Sequence, residues 1–146
     1  MERDRFPVVV HLMLWRENRL FLLRRARTGF LDGFFALPGG HQHAGESVRE
    51  AVLRECREET GTALADAQPV CALPYHSGPQ QGINFVFEAR HERGGWSGEP
   101  HCAEPELFDH GDWFEPRALP DRVIPWIHDV LVMQSSGHWF REYRTQ

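Results

Sequence analysis

Three glutamates, Glu55, Glu58 and Glu59, crowd into the stretch RECREET. Spacings of three and four residues put all three carboxylates on one side of a helix, within a single turn. Like charges so placed destabilise an exposed helix by roughly 0.2–0.5 kcal/mol per pair. In the C-terminal half of a helix they also oppose the macrodipole. As stabilising devices they are badly placed. A divalent cation reverses the sign, because three carboxylates plus water match the all-oxygen coordination of Mg²⁺. The alternative is a solvated face on which Arg54 and Arg57 dilute the repulsion. The preceding residues favour the cation: Gly39 and Gly40 let the backbone approach a ligand closely, and Gly45-Glu46 delivers another carboxylate just ahead of the helix.

The elements that must position these groups follow from local pattern. Ser47 and Glu50 form a capping box, and Val48, Val52 and Cys56 give one apolar stripe. Gly61 supplies a left-handed stop, so a helix is expected over Val48–Thr60. Residues 8–15, with three valines and an apolar run broken by His11, suit a buried strand. RENR turns the chain into a second strand at 20–23, an antiparallel hairpin. Residues 28–33 form a loop and 34–37 a short strand stopped by Pro38, Gly39 and Gly40. Further strands are expected at 70–73 and 83–89, with LPYHSGPQQG as a Pro/Gly loop between them. A longer loop covers 90–101, and Trp113-Phe114 starts a short strand. Leu119-Pro120-Asp121 opens a last helix with Pro125 in its first turn. Ile124, Ile127, Val130 and Leu131 share its apolar face, and Gly137 ends it. The pattern describes a mixed α/β layered domain spanning residues 1–146.

Composition narrows the partners. The chain has 146 residues and a formal net charge of −5, so no global basic field exists to hold polymeric nucleic acid. Small phosphates remain open. Cys56, Cys71 and Cys102 are odd in number and widely spaced, which suggests reduced thiols rather than a disulfide framework or zinc knuckle. No run is long enough for a membrane span and no signal-peptide pattern is present, so a cytoplasmic location is the default expectation.

Gly40, five residues, Glu46, seven residues, then Arg54-Glu55-Cys56-Arg57-Glu58-Glu59-Thr60-Gly61-Thr62 resembles the Nudix box, Gly-x5-Glu-x7-Arg-Glu-U-x-Glu-Glu-x-Gly-U with U a bulky aliphatic. Every charged and glycine position matches. Cys56 and Thr62 stand at the two U positions; Cys56 fits the stripe, whereas Thr62 is expected to loosen local packing. Weaker similarity to MutT-like members extends over most of the chain.

The resemblance implies an α/β/α sandwich with a mixed sheet. It also implies Mg²⁺- or Mn²⁺-dependent hydrolysis of a nucleoside diphosphate linked to another moiety. On the family's pattern Glu58 and Glu59 are the principal metal ligands, and Glu55 is a further ligand or general base. The Gly40 carbonyl is a backbone ligand, and Arg54 with Glu46 braces loop against helix. Arg25, thirteen residues before Pro38, falls where such proteins contact phosphate, or else it is a strand-end charge. Glu104 falls on a distal metal-site carboxylate, with Glu99 as a competitor. The implied reaction is water attack on phosphorus in a pyrophosphate link, with Glu55 or Glu58 taking the proton and the cation neutralising phosphate oxygens.

The resemblance to MutT-like members implies a small nucleoside tri- or diphosphate as the substrate class, with modified nucleotides included. The asparagine that reads purine in some MutT proteins has no counterpart near residues 116–121. Phe30, Phe34, Phe85, Trp96 and Trp113 are candidates to stack a base or to fill core. His41, His43 and His76 are candidates for phosphate contact or for solvated loops. An RNA 5′-pyrophosphohydrolase and a non-catalytic nucleotide-sensing module on the same fold are the alternatives, and the family leaves room for a homodimer.

Overall fold

A computed structural model describes residues 1–145. Its elements run β1 (Val8–Arg16), β2 (Arg19–Arg25), β3 (Phe35–Ala36), β4 (Gly39–His41), α1 (Val48–Thr60), β5 (Ala63–Leu64), β6 (Gln68–Ser77), β7 (Gln80–Arg90), β8 (Trp96–Ser97), β9 (Phe108–Phe114), α2 (Trp126–Ser136) and β10 (Tyr143–Thr145). The main sheet has the order β10-β6-β7-β1-β2-β3, with β4 also on β1 and β9 also on β2. Pairs β1–β7 and β6–β10 are parallel, and the remaining pairs are antiparallel.

Alternation along β1 divides the core between the two faces. Val10, Leu12 and Leu14 pack with Ala51, Val52 and Cys56 of α1. Met13 and Trp15 pack on the other side with Ile127, Val130 and Met133 of α2. One helix therefore covers each face, the expected α/β/α sandwich with a mixed sheet. The Glu17 and Asn18 backbones, at φ 52° and 60°, turn β1 into β2 in the left-handed conformation that tight hairpins need.

Helix α1 keeps its expected bounds. Ser47 Oγ accepts from Glu50 N and Glu50 Oε1 from Ser47 N, both at 3.0 Å. At the other end Gly61, at φ 75°, donates its N–H to the Arg57 carbonyl.

Four expectations are corrected. LPYHSGPQQG is mostly strand: Leu73 pairs with Asn84 and Tyr75 with Gly82, so alternation continues through the prolines and only Gly78 and Pro79 turn the chain. Strand β9 begins at Phe108, because its polar FDHGD half pairs with β2 while staying largely exposed. Helix α2 starts at Trp126, with Pro125 as its N-cap. Residues 116–118 form a separate 3₁₀ turn, and Val123 bridges to Phe35. Thr62 does not loosen packing. It is 1% exposed, with its hydroxyl 2.6 Å from Thr60 Oγ1 and 3.0 Å from Cys56 Sγ. The two positions that the family fills with aliphatics meet here through polar atoms. Among the described residues, no helix is long and apolar enough to cross a membrane.

Candidate active site

The site grows from the place where β4 meets α1. Gly39 and Gly40 pair with His11 and Val10 of β1, which fixes their backbones beside the last turns of the helix. The Gly39 N–H donates to Glu59 Oε1 at 2.7 Å. A Cβ on Gly39 would fall 2.0 Å from the Val10 carbonyl oxygen. A Cβ on Gly40 would fall 2.5 Å from Glu55 Oε1 and 2.6 Å from its Cδ. Both glycines are thus demanded by close approach rather than by a turn. Glu55 and Glu59 are buried, 9% and 4% exposed, whereas the Glu58 side chain is half exposed.

Arg54 is the hub of the loop-facing side. Its Nε and Nη2 grip Glu46 at 3.0 and 2.8 Å, and Nη2 also donates to the His41 carbonyl at 2.9 Å. Nη1 donates to Glu55 Oε1 at 2.9 Å and to Glu58 Oε2 at 3.3 Å. Glu46 further accepts the His43 N–H at 2.8 Å. These bonds pin the 41–46 loop to the helix. Arg54 thus does both things the sequence offered for it, bracing Glu46 and diluting the repulsion between Glu55 and Glu58.

Glu104 arrives from the loop after β8. Ala103 N–H donates to the Glu59 backbone carbonyl, hanging that loop on the end of α1, and Leu107 and Phe108 N–H groups donate to the Glu104 carbonyl. The Glu104 carboxyl therefore sits in the field of Glu55 and Glu58, which together with burial raises its pKa. Burial also raises the Glu55 pKa against the pull of Arg54. Glu59 is pushed up to about 9, mainly by burial, then by repulsion from Glu55 and Glu104; the Gly39 bond and Arg25 offset only part of it. Glu46 behaves oppositely: the Arg54 and His43 bonds hold it down at about 2.

The donor set fits a hard divalent cation. Glu55, Glu58, Glu59 and Glu104 offer oxygen alone, their mutual repulsion is what such an ion relieves, and the missing Cβ at Gly40 leaves room for the Glu55 carboxylate. The arrangement is open rather than a finished cage. Among the described residues no three His, Cys, Asp or Glu side chains already stand in metal-holding geometry. Arg54 Nη1 lies between Glu55 and Glu58 instead.

The other sequence candidates separate cleanly. Arg25 ends β2 with Nε donating to the Phe30 carbonyl and Nη2 to Thr28 Oγ1, and its charge is felt by both Glu59 and His11. Glu99 is taken by a two-pronged bond to Arg16, whereas Glu104 feels the charges of Glu55 and Glu58. Trp96 is core and stacks on Trp113, and Phe85 packs on the α1 side, so neither is free to stack a base. Phe34 packs against the α2-side core, and Phe30 is exposed. His41 and His43 stand in the site loop, while His76 lies in the distant β6–β7 hairpin.

Comparison with known proteins agrees with this architecture. The NUDIX domain family model matches residues 4–134. The 8-oxo-dGTP diphosphatase of Escherichia coli is 27% identical over 136 residues, covering 88% of this chain and 94% of that protein. The 8-oxo-dGDP phosphatase of Mus musculus is 30% identical over 133 residues, 91% of this chain but 39% of that protein. Several other curated relatives are likewise matched over about a third of their own length, 31% to 35%. In three dimensions a MutT NUDIX hydrolase from Burkholderia pseudomallei superposes with a TM-score of 0.80 at 27% identity, covering 88% of this chain and 98% of that one.

Proposed function

The chain belongs to the NUDIX domain family, and on that premise we propose that it hydrolyses the pyrophosphate link of a nucleoside tri- or diphosphate, modified nucleotides included, with Mg²⁺ or Mn²⁺. The observation that carries this reading is Glu59: a carboxyl 4% exposed, bonded to one backbone N–H and repelled by Glu55 and Glu104. The ionised form of such a group costs stability unless a cation joins it. The names of the Escherichia coli and mouse relatives support an oxidised guanine nucleotide as the first substrate to try.

In this reading Glu58, Glu59, Glu55, Glu104 and the Gly40 carbonyl hold the cation, which when bound neutralises phosphate oxygens and acidifies water. Glu55 or Glu58 takes the proton of the attacking water. Burial raises the Glu55 pKa, whereas the Glu58 side chain is half exposed to water. Arg54 keeps Glu46 through Nε and Nη2, bracing the loop whether or not Nη1 releases Glu55 and Glu58. Arg25 meets the phosphate chain from the end of β2.

The test is a panel of canonical and oxidised nucleoside tri- and diphosphates, dinucleoside polyphosphates, ADP-ribose, a nucleotide sugar and 5′-triphosphate RNA, each with Mg²⁺ and with Mn²⁺. Cleavage of a small nucleotide that disappears in Glu58→Gln supports the reading. Nucleotide binding without turnover would transfer the site to a sensing module.

A further inference from the structure

The loop between β2 and β3 is tied together by more bonds than a surface connection needs, and they converge on Arg25. The Asp32 carboxylate accepts from Thr28 N at 3.1 Å, from Gly29 N at 2.9 Å and from the Thr28 hydroxyl. Thr28 Oγ1 in turn accepts from Arg25 Nη2 at 3.2 Å and from Phe30 N at 3.1 Å. Arg25 Nε donates to the Phe30 carbonyl at 2.7 Å, and its guanidinium lies 5.5 Å from the centre of the Phe30 ring. Gly33 N closes the loop on the Arg25 carbonyl at 2.7 Å. Leu31 is held at φ 49°, a left-handed conformation that a leucine keeps only where surrounding bonds impose it.

The polarity of these bonds is fixed from one end. The Thr28 hydroxyl, then the Gly29 and Thr28 N–H groups, hold the Asp32 pKa below the usual carboxylate range, so near neutral pH its carboxylate only accepts. A threonine hydroxyl has one proton and two lone pairs. The proton goes to Asp32, which leaves the lone pairs for Phe30 N–H and Arg25 Nη2. The Arg25 guanidinium is thereby clamped along its Nε–Nη2 side, and the Nη1 donors are left without a partner among the described residues.

Position relates this clamped cation to the acidic cluster. Phe21 and Leu23 of β2 belong to the core on the α1 side, and Arg25 follows at the next alternate position, on the face that α1 covers. Its partner across the strands is Phe108, whose N–H holds the Glu104 carbonyl at 3.0 Å. Ala26 N bonds the Leu107 carbonyl at 2.9 Å and Arg27 Nη2 the Pro105 carbonyl, so the loop is fastened to the segment that carries Glu104. The charge of Arg25 is felt at Glu59. Arg16, Arg24 and Arg54 each hold a carboxylate, whereas both Arg25 bonds go to neutral oxygens and its charge is left over. A free arginine loses rotamer freedom when it takes up an anion, and a clamped one has lost it beforehand.

We infer that Asp32 and Thr28 are positioning residues, which hold Arg25 with its unbonded guanidinium edge toward a phosphoryl group of the substrate. Neither touches the substrate; both act through Arg25. The inference rests on the nucleotide-hydrolase reading above for its substrate, but its test needs no turnover.

The experiment is calorimetric binding of methylenediphosphonate, a diphosphate that cannot be hydrolysed, in Mg²⁺ buffer. It compares the wild type with Thr28→Val, Thr28→Ser, Asp32→Asn, Arg25→Ala and the double variant Arg25→Ala/Thr28→Val. Thr28→Val keeps the shape and removes the hydroxyl, and should weaken binding about tenfold. Thr28→Ser, which keeps the hydroxyl, should recover most of that loss. Asp32→Asn sets an NH₂ group among the donors of the loop and should also weaken binding. In the Arg25→Ala background Thr28→Val should cost nothing further, because the residue it acts through is gone. A hydroxyl that merely supports the fold would lower affinity equally in both backgrounds. Should Thr28→Val fail to fold, the same cycle is run with Asp32→Asn. A wild type that does not bind the probe, a folded Thr28→Val that binds it as the wild type does, or equal losses with and without Arg25 would overturn the inference. If the expected pattern appears and no nucleotide is cleaved, the inference stands and the hydrolase reading falls; cleavage without the pattern gives the reverse.

Discussion

Glu46 and Glu59 are the same residue type, thirteen positions apart, at opposite ends of one helix, and the protein treats them in opposite ways. Glu46 has its partners inside the chain: two guanidinium bonds from Arg54 and one backbone N–H hold its pKa at about 2. Glu59 is more deeply buried and has one backbone N–H against two neighbouring carboxylates, which leaves it at about 9. The lesson is one of compensation. A carboxylate whose charge is answered by the chain serves the fold, and one whose charge is left over is placed for something that arrives from solution.

The largest expected effect lies at the uncompensated end. Glu59→Gln keeps an oxygen for the Gly39 N–H and removes the repulsion, so steady-state kinetics should show turnover reduced about a hundredfold to a thousandfold. Thermal denaturation of the same variant without metal should give a Tm at or above the wild type. A lowered Tm would mean that Glu59 serves the fold after all.

Arg54→Lys comes next, at the compensated end. A lysine cannot span Glu46 and the His41 carbonyl with one planar fork. Calorimetric Mn²⁺ titration should register affinity falling about tenfold to a hundredfold through the misplaced loop and carboxylates. The metal-free Tm should fall as well, in contrast to Glu59→Gln.

Acid and base should separate the two carboxylates by sign. Glu46 has a folded pKa below the ordinary 4.5, so its stabilisation is complete above pH 4.5 and is lost as pH falls toward about 2. Glu59 has a folded pKa above 4.5, so its contribution is complete below pH 4.5 and is lost as pH rises through about 9. Urea unfolding of chelator-treated protein should therefore weaken from pH 5 to 9, and Glu59→Gln should flatten that slope. An unchanged slope in the variant would remove the distinction.

The smallest effect is expected at Thr62→Val. It restores the family's aliphatic and removes the Thr62 hydroxyl contacts, but Thr60 Oγ1 keeps its bond to the Cys56 carbonyl and Cys56 Sγ keeps Thr60 Oγ1 beside it. Denaturant titration should give a change of about 1 kcal/mol or less. A loss of several kcal/mol would make the hydroxyl network, rather than packing, the support of the helix end.

What was legible in the sequence was what is local. The capping box, the Cys56 stripe and the Gly61 stop fix α1, because each acts within one or two turns. The glutamates then follow from helical spacing. The rest depends on distant chain. Glu104 reaches the cluster because Ala103 bonds the Glu59 carbonyl, a contact across more than forty residues. The split of Arg54 between three carboxylates depends on where β4 lies. Prolines and glycines masked the β6–β7 hairpin, whose register is set by alternation and by neighbours on both sides. His11 left a trace as the break in an apolar run, but its partner Asn84 is seventy-three residues away and gave no signal alone.

One measurement bears most directly on the idea that leftover charge marks the site. Chelator-treated wild type and Glu59→Gln are melted across a Mg²⁺ series, with Ca²⁺-free buffer at pH 8 and no nucleotide. The expected result is a Tm that climbs with Mg²⁺ in the wild type and stays flat in Glu59→Gln. A wild type indifferent to Mg²⁺, or a variant that climbs equally, would contradict the account.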